Sequence, residues 1–189
     1  SSIKSNNLRS GNLDDDEMNE LHQSANALAQ LNLYIDDSST ITVPEIFSKC
    51  RKLKAEGRLD IIVIDYIQLI SGKAGTENRQ QEVSEISRSL KQLAREMEVP
   101  VIGLSQLSRL VERRDNKIPQ LSDLRESGSI EQDADIVMFL YREDYYQQDD
   151  DEEEKISSDE PRPVLLKIAK HRNGALADIN MQFNPSISK

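Results

Sequence analysis

The sequence IIVIDYIQL at residues 61–69 gives the strongest indication of a fold in this chain. Four β-branched apolar residues run directly into an acid, Asp65. Such a run predicts a strand that is buried on both faces and presents a carboxylate at its carboxyl end. A carboxylate in that position can hold Mg²⁺, directly or through a water, beside a nucleoside triphosphate. Taken alone, the same pattern is also typical of an ordinary core strand that ends in an acid.

Length and composition predict a single, mainly aliphatic domain. The chain has 189 residues, of which 37% are hydrophobic and 4% aromatic, a length that suffices for one domain with a real core. No apolar run approaches the roughly 18 residues that cross a bilayer, and no secretory signal opens the sequence, so we expect no membrane partner. The single Cys50 cannot pair within the chain, which fits a reducing compartment, and we expect it to be a small core residue.

The net charge of -10 is concentrated in one segment. Residues 143–160 hold ten of the acids and a single Lys, so the rest of the chain is close to neutral. We predict that this segment, at about 143–160, is a mobile acidic insertion. A near-neutral body with local basic loops can still bind a polyanion, and the overall charge therefore does not exclude a nucleic-acid partner.

Helix and strand patterns alternate along the chain. Asp14 begins a run of acids of the kind that favours a helix start. Thr42 and Glu45 read as a capping box, and Gly57 marks the end of the helix behind them. An Asn-Gly pair at 173–174 suits the turn of a terminal hairpin. We expect residues 1–13 to be irregular, helices at about 14–28, 42–57 and 83–97, and strands at 33–35, 61–69, 101–104, 136–140, 164–170 and 176–183, with those at 101–104 and 136–140 also buried.

Strands that alternate with helices and end in a hairpin predict an α/β domain with a mainly parallel sheet. In such sheets, ligands gather at the carboxyl ends of the strands. Asp65 lies at the end of one predicted strand and Gln106 follows the next, so both fall at that edge. Their coincidence is a stronger indication of a ligand site than either residue alone.

Four segments, in order along the chain, resemble a known family. They are IDYIQL at 64–69, GLSQLSR at 103–109, LSDLRESGSIEQDAD at 121–135 and KHRNG at 170–174. Together they resemble the motor domain of the DnaB-family replicative DNA helicases, from about residue 7 to residue 183, and the third block is highly specific. The resemblance implies a RecA-like P-loop NTPase fold in a hexameric enzyme that uses ATP and Mg²⁺. Such an enzyme encircles one DNA strand, translocates 5′ to 3′ and unwinds duplex DNA at the replication fork, with primase and a helicase loader as partners, in bacterial cytoplasm or plastid stroma.

For the nucleotide site, the resemblance implies roles for four residues. Asp65 matches the Walker B aspartate that holds the Mg²⁺ shell of ATP, and Gln106 matches the polar residue that senses the γ-phosphate. Lys170 and Arg172 match a pair that reaches the ATP of the neighbouring subunit, with Arg172 as the arginine finger. Their spacing places both cations on one face of a strand and His171 on the other. The alternatives remain that Asp65 caps a neighbouring helix, that Gln106 is an ordinary surface residue, and that the two cations are solvated residues of the hairpin.

For DNA, the resemblance implies that Arg125, Glu126 and Gly128 belong to the loop that contacts the single-stranded backbone. Gly128 lets a backbone N–H approach closely. Basic residues ahead of this loop either add positive potential along a central channel or are ordinary solvated charges. They are Arg109, Arg113, Arg114 and Lys117. Few aromatic residues occur here, so we expect phosphate contacts with little sequence preference and a steep salt dependence.

The chain has no Gly-x-x-x-x-Gly-Lys-Ser/Thr sequence, which a P-loop motor needs to cradle phosphates. The resemblance places this element, and the glutamate that polarises the attacking water, upstream of Ser1. We therefore interpret residues 1–189 as a partial motor domain, truncated on its amino-terminal side, and expect the isolated chain not to hydrolyse ATP. Two alternatives remain. One is a RecA-like or RadA-like recombination ATPase, against which the block at 121–135 argues, and the other is a non-catalytic module that docks on DNA or on an intact ring.

Overall fold

The computed structural model describes residues 2–72, 79–144 and 160–187, without the side chains of 125–128. The chain divides into two compact units. The first contains 1–35, 140–167 and 178–189, and the second contains 36–139 and 168–177. Most of the acidic insertion predicted at 143–160 lies outside the described residues. The prediction of one partial motor domain over 1–189 stays a prediction.

Local sequence signals set the ends of the helices. The Asp14 carboxylate accepts a hydrogen bond from the Glu17 N–H at 2.8 Å, and Glu17 accepts one from the Asp14 N–H at 3.2 Å. The predicted capping box of Thr42 and Glu45 is also confirmed. None of the described helices is long and apolar enough to cross a membrane. The helices are α1 (Ser5–Ser10), α2 (Asp15–Ala29), α3 (Val43–Ala55), α4 (Arg79–Met97) and α5 (Gly128–Asp133).

The prediction that residues 1–13 are irregular is wrong, because α1 forms there. Its end follows from Gly11, which adopts a φ of 69° and donates its N–H to the Asn7 carbonyl. The helix is short and polar, with Leu8 as its one apolar residue. It therefore lacks the apolar periodicity by which a helix is detected in a sequence.

The strands confirm the predicted α/β class with parallel pairs and a terminal hairpin. They are β1 (Ile41–Thr42), β2 (Ile62–Ile64), β3 (Ile70–Ser71), β4 (Val101–Gly103), β5 (Ile136–Tyr141), β6 (Arg162–His171) and β7 (Ala177–Phe183). β1 pairs with β3 in parallel, and β2 pairs with β4 in parallel. β5, β6 and β7 form an antiparallel sheet in that order.

Two strand predictions are wrong. Residues 33–35 form no strand, and their apolar side chains at Leu33 and Ile35 are exposed. The strand predicted at 61–69 is divided into β2, a 3₁₀ turn at Ile67–Leu69 and β3. The division arises because Leu69 donates its N–H to the Tyr66 carbonyl at 3.0 Å, which closes a turn instead of continuing a ladder.

The main core of the second unit is built on α4, one face of which is buried against α3, α5 and β4. Cys50 of α3 lies in this core, as predicted, and burial raises the pKa of its thiol. The principal residues are Ile46, Cys50, Ile62, Ile67, Ile70, Val83, Ile86, Leu90, Leu93 and Met97.

The prediction that the strands are buried on both faces is wrong for the described residues. Ile62 of β2 is 8% exposed, whereas its neighbour Val63 is 61% exposed. β5 alternates in the same way, with Val137 and Phe139 buried and Met138 exposed. A continuous apolar run makes a strand suitable for burial on both of its faces. Such burial also requires a layer of other elements on each face of the sheet, which the local sequence does not specify.

An ion cluster stabilises the first unit. The Asp144 carboxylate lies 2.7 Å from Nη2 of Arg142 and 2.8 Å from Nη1 of Arg162. These pairs lower the pKa of Asp144 to about 2, with the hydrogen bond from Arg142 as the main cause. In the same unit, the Ser5 N–H donates to the Ser186 carbonyl at 2.7 Å.

Candidate functional site

Asp65 and Gln106 emerge at the same edge of the β2–β4 pair. The two strands are parallel, with Ile64 opposite Gly103, and the Leu104 N–H donates to the Ile64 carbonyl at 2.9 Å. Asp65 follows Ile64 directly, and Gln106 follows Gly103 by three residues. The prediction that these strand ends are neighbours is confirmed, while the roles of the two side chains stay predictions.

The Asp65 carboxylate is exposed and makes no hydrogen bond or ion pair with another described residue. The described residues also contain no group of three His, Cys, Asp or Glu side chains that could bind a metal ion unaided. Mg²⁺ commonly takes only one or two carboxylates and completes its shell with waters and phosphate oxygens. A single carboxylate with no partner in the described part of the chain therefore fits a Mg²⁺ ion that arrives with a nucleotide.

Gln68 holds the backbone of Gln106 from both sides. Its Oε1 atom accepts from the Gln106 N–H at 3.3 Å, and its Nε2 atom donates to the Gln106 carbonyl at 3.3 Å. Nε2 also donates to the Ser105 hydroxyl at 3.0 Å. The exposed side chain of Gln106 therefore starts from a fixed backbone position.

Lys170 is held by the carboxyl end of α5. Its Nζ atom donates to the carbonyls of Glu131 at 2.5 Å, Ala134 at 2.8 Å and Gln132 at 3.4 Å. Carbonyls at this end of a helix have no intrahelical partner and carry the negative end of the helix dipole. The ammonium is therefore well satisfied within the chain.

Arg172 reaches the same helix end. Its Nη2 atom donates to the Gln132 carbonyl at 3.4 Å, and its Nη1 atom lies 3.0 Å from Oδ1 of Asp135. The prediction that Lys170 and Arg172 share a face is therefore confirmed. The pKa of Asp135 is lowered, first by a hydrogen bond from Lys91 and then by the charges of Lys91, Arg172 and Lys170.

The basic residues ahead of the predicted DNA loop are of two kinds. Arg109 and Arg113 lie on one 3₁₀ turn and are exposed. Arg114 is half-buried, and its Nη2 atom donates to Asp123 at 2.6 Å and to the Ile118 carbonyl at 3.4 Å. The first two can meet a polyanion as they stand, whereas Arg114 is engaged within the fold.

Arg125, Glu126 and Gly128 lie where a 3₁₀ segment meets α5. Their side chains are outside the described part of the chain, so their contact with DNA stays a prediction. The backbone nevertheless places this junction at one end of α5 and the carbonyls that hold Lys170 at the other.

A family model for the DnaB-like helicase C terminal domain matches residues 1–189, the whole chain. The chain belongs to this family. It is 52% identical over 188 residues to the replicative DNA helicase DnaB of Geobacillus stearothermophilus and 50% identical over 188 residues to the replicative DNA helicase DnaC of Bacillus subtilis. Both matches cover 99% of this chain but only 40% of the relative, so the chain spans about two fifths of their length.

Two solved structures share the fold. One of them, described as an ATPase domain, matches with a TM-score of 0.87 and 38% identity, covering 100% of this chain and 65% of that chain. The other, a DnaB-like replicative helicase described with its interactions with primase, matches with a TM-score of 0.87 and 38% identity over 99% of this chain and 44% of that chain. The chain therefore has the RecA-like α/β fold of DnaB-family ATPase domains.

Sequence reasoning missed the side chains that hold the DnaB-family site residues in place. They are Gln68, Asp123 and Asp135. Each of them lies inside a segment that carries the family resemblance, which was the one available signal. No spacing rule could identify their roles, because Gln68 and Asp135 contact residues on distant segments of the chain.

Proposed function

We propose that this chain forms part of a hexameric, ATP-dependent replicative DNA helicase. The complete enzyme translocates 5′ to 3′ on single-stranded DNA and unwinds duplex DNA at the replication fork. One observation carries the proposal. In a chain of the DnaB-like family, an exposed Asp65 carboxylate that pairs with no other described residue lies at the strand end beside that of Gln106.

Asp65 and Gln106 serve the nucleotide bound to their own subunit. Bound Mg²⁺ bridges the β- and γ-phosphates of ATP and neutralises charge that develops there. Asp65 holds this ion or its water shell through its carboxylate. Gln106 can both donate and accept a hydrogen bond, so its amide responds to the presence of a terminal phosphate. Gln68 fixes the backbone from which that amide extends.

Lys170 and Arg172 serve the nucleotide of the next subunit in the ring. A planar guanidinium suits charge that is spread over γ-phosphate oxygens. Both cations now contact carbonyls at the end of α5, so an approaching phosphate takes over part of these contacts. Hydrolysis then depends on assembly of the ring, because neither subunit holds the complete site.

The segment at 125–128 and the exposed Arg109 and Arg113 contact single-stranded DNA. Their charges favour phosphate oxygens over base edges, which suits an enzyme that moves along any sequence. Primase and a helicase loader are the expected protein partners. Because the named relatives are bacterial, we place the protein in bacterial cytoplasm, with plastid stroma as the alternative.

A second candidate function is a non-catalytic module that docks on DNA or on an intact ring. A RecA-like or RadA-like recombination ATPase is disfavoured, because the DnaB-like family model matches the whole chain.

A chimera tests the proposal. In it, this chain replaces the matching 188 residues of the Geobacillus stearothermophilus relative. We expect DNA-stimulated ATP hydrolysis and unwinding of a forked duplex. Asp65→Asn should abolish both, because the site then lacks its metal-holding charge. Asp60→Asn, which alters an exposed acid just ahead of β2, is the matched control and should leave both unchanged.

The same assays separate the two candidate functions. The isolated chain should not hydrolyse ATP in either case. A chimera that forms rings and binds DNA without hydrolysing ATP would contradict the motor assignment and support the docking module. Full activity in the Asp65→Asn chimera would contradict the assignment of the metal-holding acid.

A further inference from the structure

We propose that Asp135 is a positioning residue, which sets the direction in which the Arg172 guanidinium points toward the nucleotide of a neighbouring subunit. This role rests on the proposed function, because it requires Arg172 to act in trans. It extends that function by naming the group that orients the arginine.

Asp135 contacts Arg172 through both its backbone and its side chain. The Arg172 N–H donates to the Asp135 carbonyl at 2.9 Å, which ties the end of β6 to the start of β5. The Arg172 Nη1 atom lies 3.0 Å from Oδ1 of the same residue. The backbone and the guanidinium of Arg172 therefore both contact the same residue. Few side-chain rotamers of Arg172 satisfy the two contacts together.

The Asp135 carboxylate is itself held from the other side. Its Oδ2 atom forms an ion pair with Lys91, which lies on α4. α4 is the main core helix of this unit and buries residues along its length. Each carboxylate oxygen of Asp135 thus has its own cation. The ion pair with Lys91 holds the carboxylate against α4, and the other oxygen contacts Arg172.

The arginine keeps the capacity to bind a further anion. A guanidinium has five N–H donors, and the contacts to Asp135 and Gln132 use only part of them. The Arg172 side chain is 48% exposed. Among the described residues, the nearby carboxylate of Asp133 bonds to the Ser87 hydroxyl at 2.9 Å rather than to Arg172. The pair with Asp135 therefore orients the side chain without burying it.

Charge supports the same assignment. Lys91, Lys170 and Arg172 converge around Asp135, and like charges so placed repel one another. Without the carboxylate, Arg172 would tend to swing away from Lys91 and Lys170. We therefore expect loss of Asp135 to misdirect the arginine while leaving its charge in place.

A double-mutant cycle in the chimera tests this role, with kcat and nucleotide affinity measured separately. Asp135→Asn keeps the side-chain shape and removes the charge, and we expect kcat to fall on the order of tenfold with nucleotide affinity unchanged. Arg172→Ala should lower kcat further. Adding Asp135→Asn to Arg172→Ala should then change nothing, because Asp135 acts only through the arginine. Asp135→Glu retains the carboxylate and should recover part of kcat.

Glu96→Gln is the matched control, because Glu96 pairs with Arg51 at 2.6 Å on the same unit and the substitution removes the same charge. It should leave kcat unchanged. Wild-type kcat in Asp135→Asn, or losses that add in the double variant, would overturn the positioning role and leave the proposed function intact. An active chimera in which Arg172→Ala has no effect would instead remove the proposed trans role, and the positioning role with it.

A second measurement does not depend on activity. In the 189-residue chain, NMR should show slow rotation about the Nε–Cζ bond of Arg172, because the guanidinium is anchored. Asp135→Asn should accelerate this rotation, and Glu96→Gln should not. A guanidinium that rotates freely in the unmodified chain would overturn the assignment, whatever the chimera does.

Discussion

The Asp123 carboxylate accepts a hydrogen bond from the Arg114 guanidinium at 2.6 Å, with its own side chain only 8% exposed. The same oxygen accepts from the Gln120 N–H at 2.8 Å, and the Asp123 carbonyl accepts from the Ser108 N–H at 3.1 Å. Asp123 thus joins both ends of the segment that precedes the predicted DNA loop. Arg114, predicted from its charge to face DNA, supplies the cation that makes burial of this acid tolerable.

Arg114→Ala should lower the free energy of unfolding by about 3 kcal/mol, because it leaves a buried carboxylate without its cation. Arg113→Ala is the matched control, since it removes the same side chain from an exposed neighbouring position. It should change stability by no more than about 0.5 kcal/mol. Urea denaturation of both variants measures the difference, and equal losses would contradict the distinction between the two arginines.

For DNA affinity we expect the opposite order, with Arg113→Ala causing the larger loss and Arg114→Ala the smaller one. Arg113→Ala in the chimera should weaken binding to single-stranded DNA and reduce the slope of log K against log salt by roughly 0.7, the loss of one phosphate contact. Arg114→Ala, measured where the protein remains folded, should leave the slope nearly unchanged. Fluorescence anisotropy over a salt series tests both, and an unaltered slope in Arg113→Ala would argue against its phosphate contact.

Gln68→Ala should loosen the strand end that carries Gln106. The Gln106 N–H loses its acceptor, so its hydrogen exchange should accelerate by roughly tenfold. Ser105→Ala is the control, because it removes one partner of Gln68 but keeps both bonds between Gln68 and Gln106. Amide exchange followed by NMR separates them, and equal acceleration in both variants would rule out the backbone clamp.

Asp144 should make stability depend on pH. Its pKa in the folded chain is lowered from 3.8 to about 2, chiefly by the hydrogen bond from Arg142. The unfolded chain therefore binds the proton more readily, and the stabilisation is complete above pH 3.8 and is lost as the pH falls through about 2.

Asp144→Asn should therefore lower the free energy of unfolding by about 1 kcal/mol at neutral pH, after allowance for solvent screening. The difference from the unmodified chain should shrink between about pH 4 and about pH 2. Denaturant unfolding at a series of pH values measures it. A difference that stays constant over this range would show that the Asp144 cluster does not titrate as stated.

Signals that lie within a few residues of one another were readable from the sequence. The pairs Asp14–Glu17 and Thr42–Glu45 each span one helical turn, and both form at the helix starts that the sequence predicts. The strand ends at Asp65 and Gln106 followed from two short apolar runs and the geometry of parallel sheets.

Features that depend on distant partners were not readable. The clamp by Gln68 needs β4 to be in place, and the contact of Asp135 with Arg172 needs the terminal hairpin. The exposure of Val63 likewise reflects which layers cover a sheet, a property of the whole assembly of elements. Local sequence patterns indicate which interactions a residue can make, whereas the packing of distant elements determines which contacts it actually forms.

The outward-facing apolar side chains have a practical consequence for work with the isolated chain. Val63, Ile102 and Met138 expose apolar side chains to water. Exposed apolar surface of this kind promotes self-association. Concentrated solutions should scatter light and bind the dye ANS. Val63→Thr preserves strand preference while adding a hydroxyl, and should lower both signals. Dynamic light scattering at rising concentration measures self-association. A chain that stays monodisperse would show that these side chains do not form a continuous apolar surface.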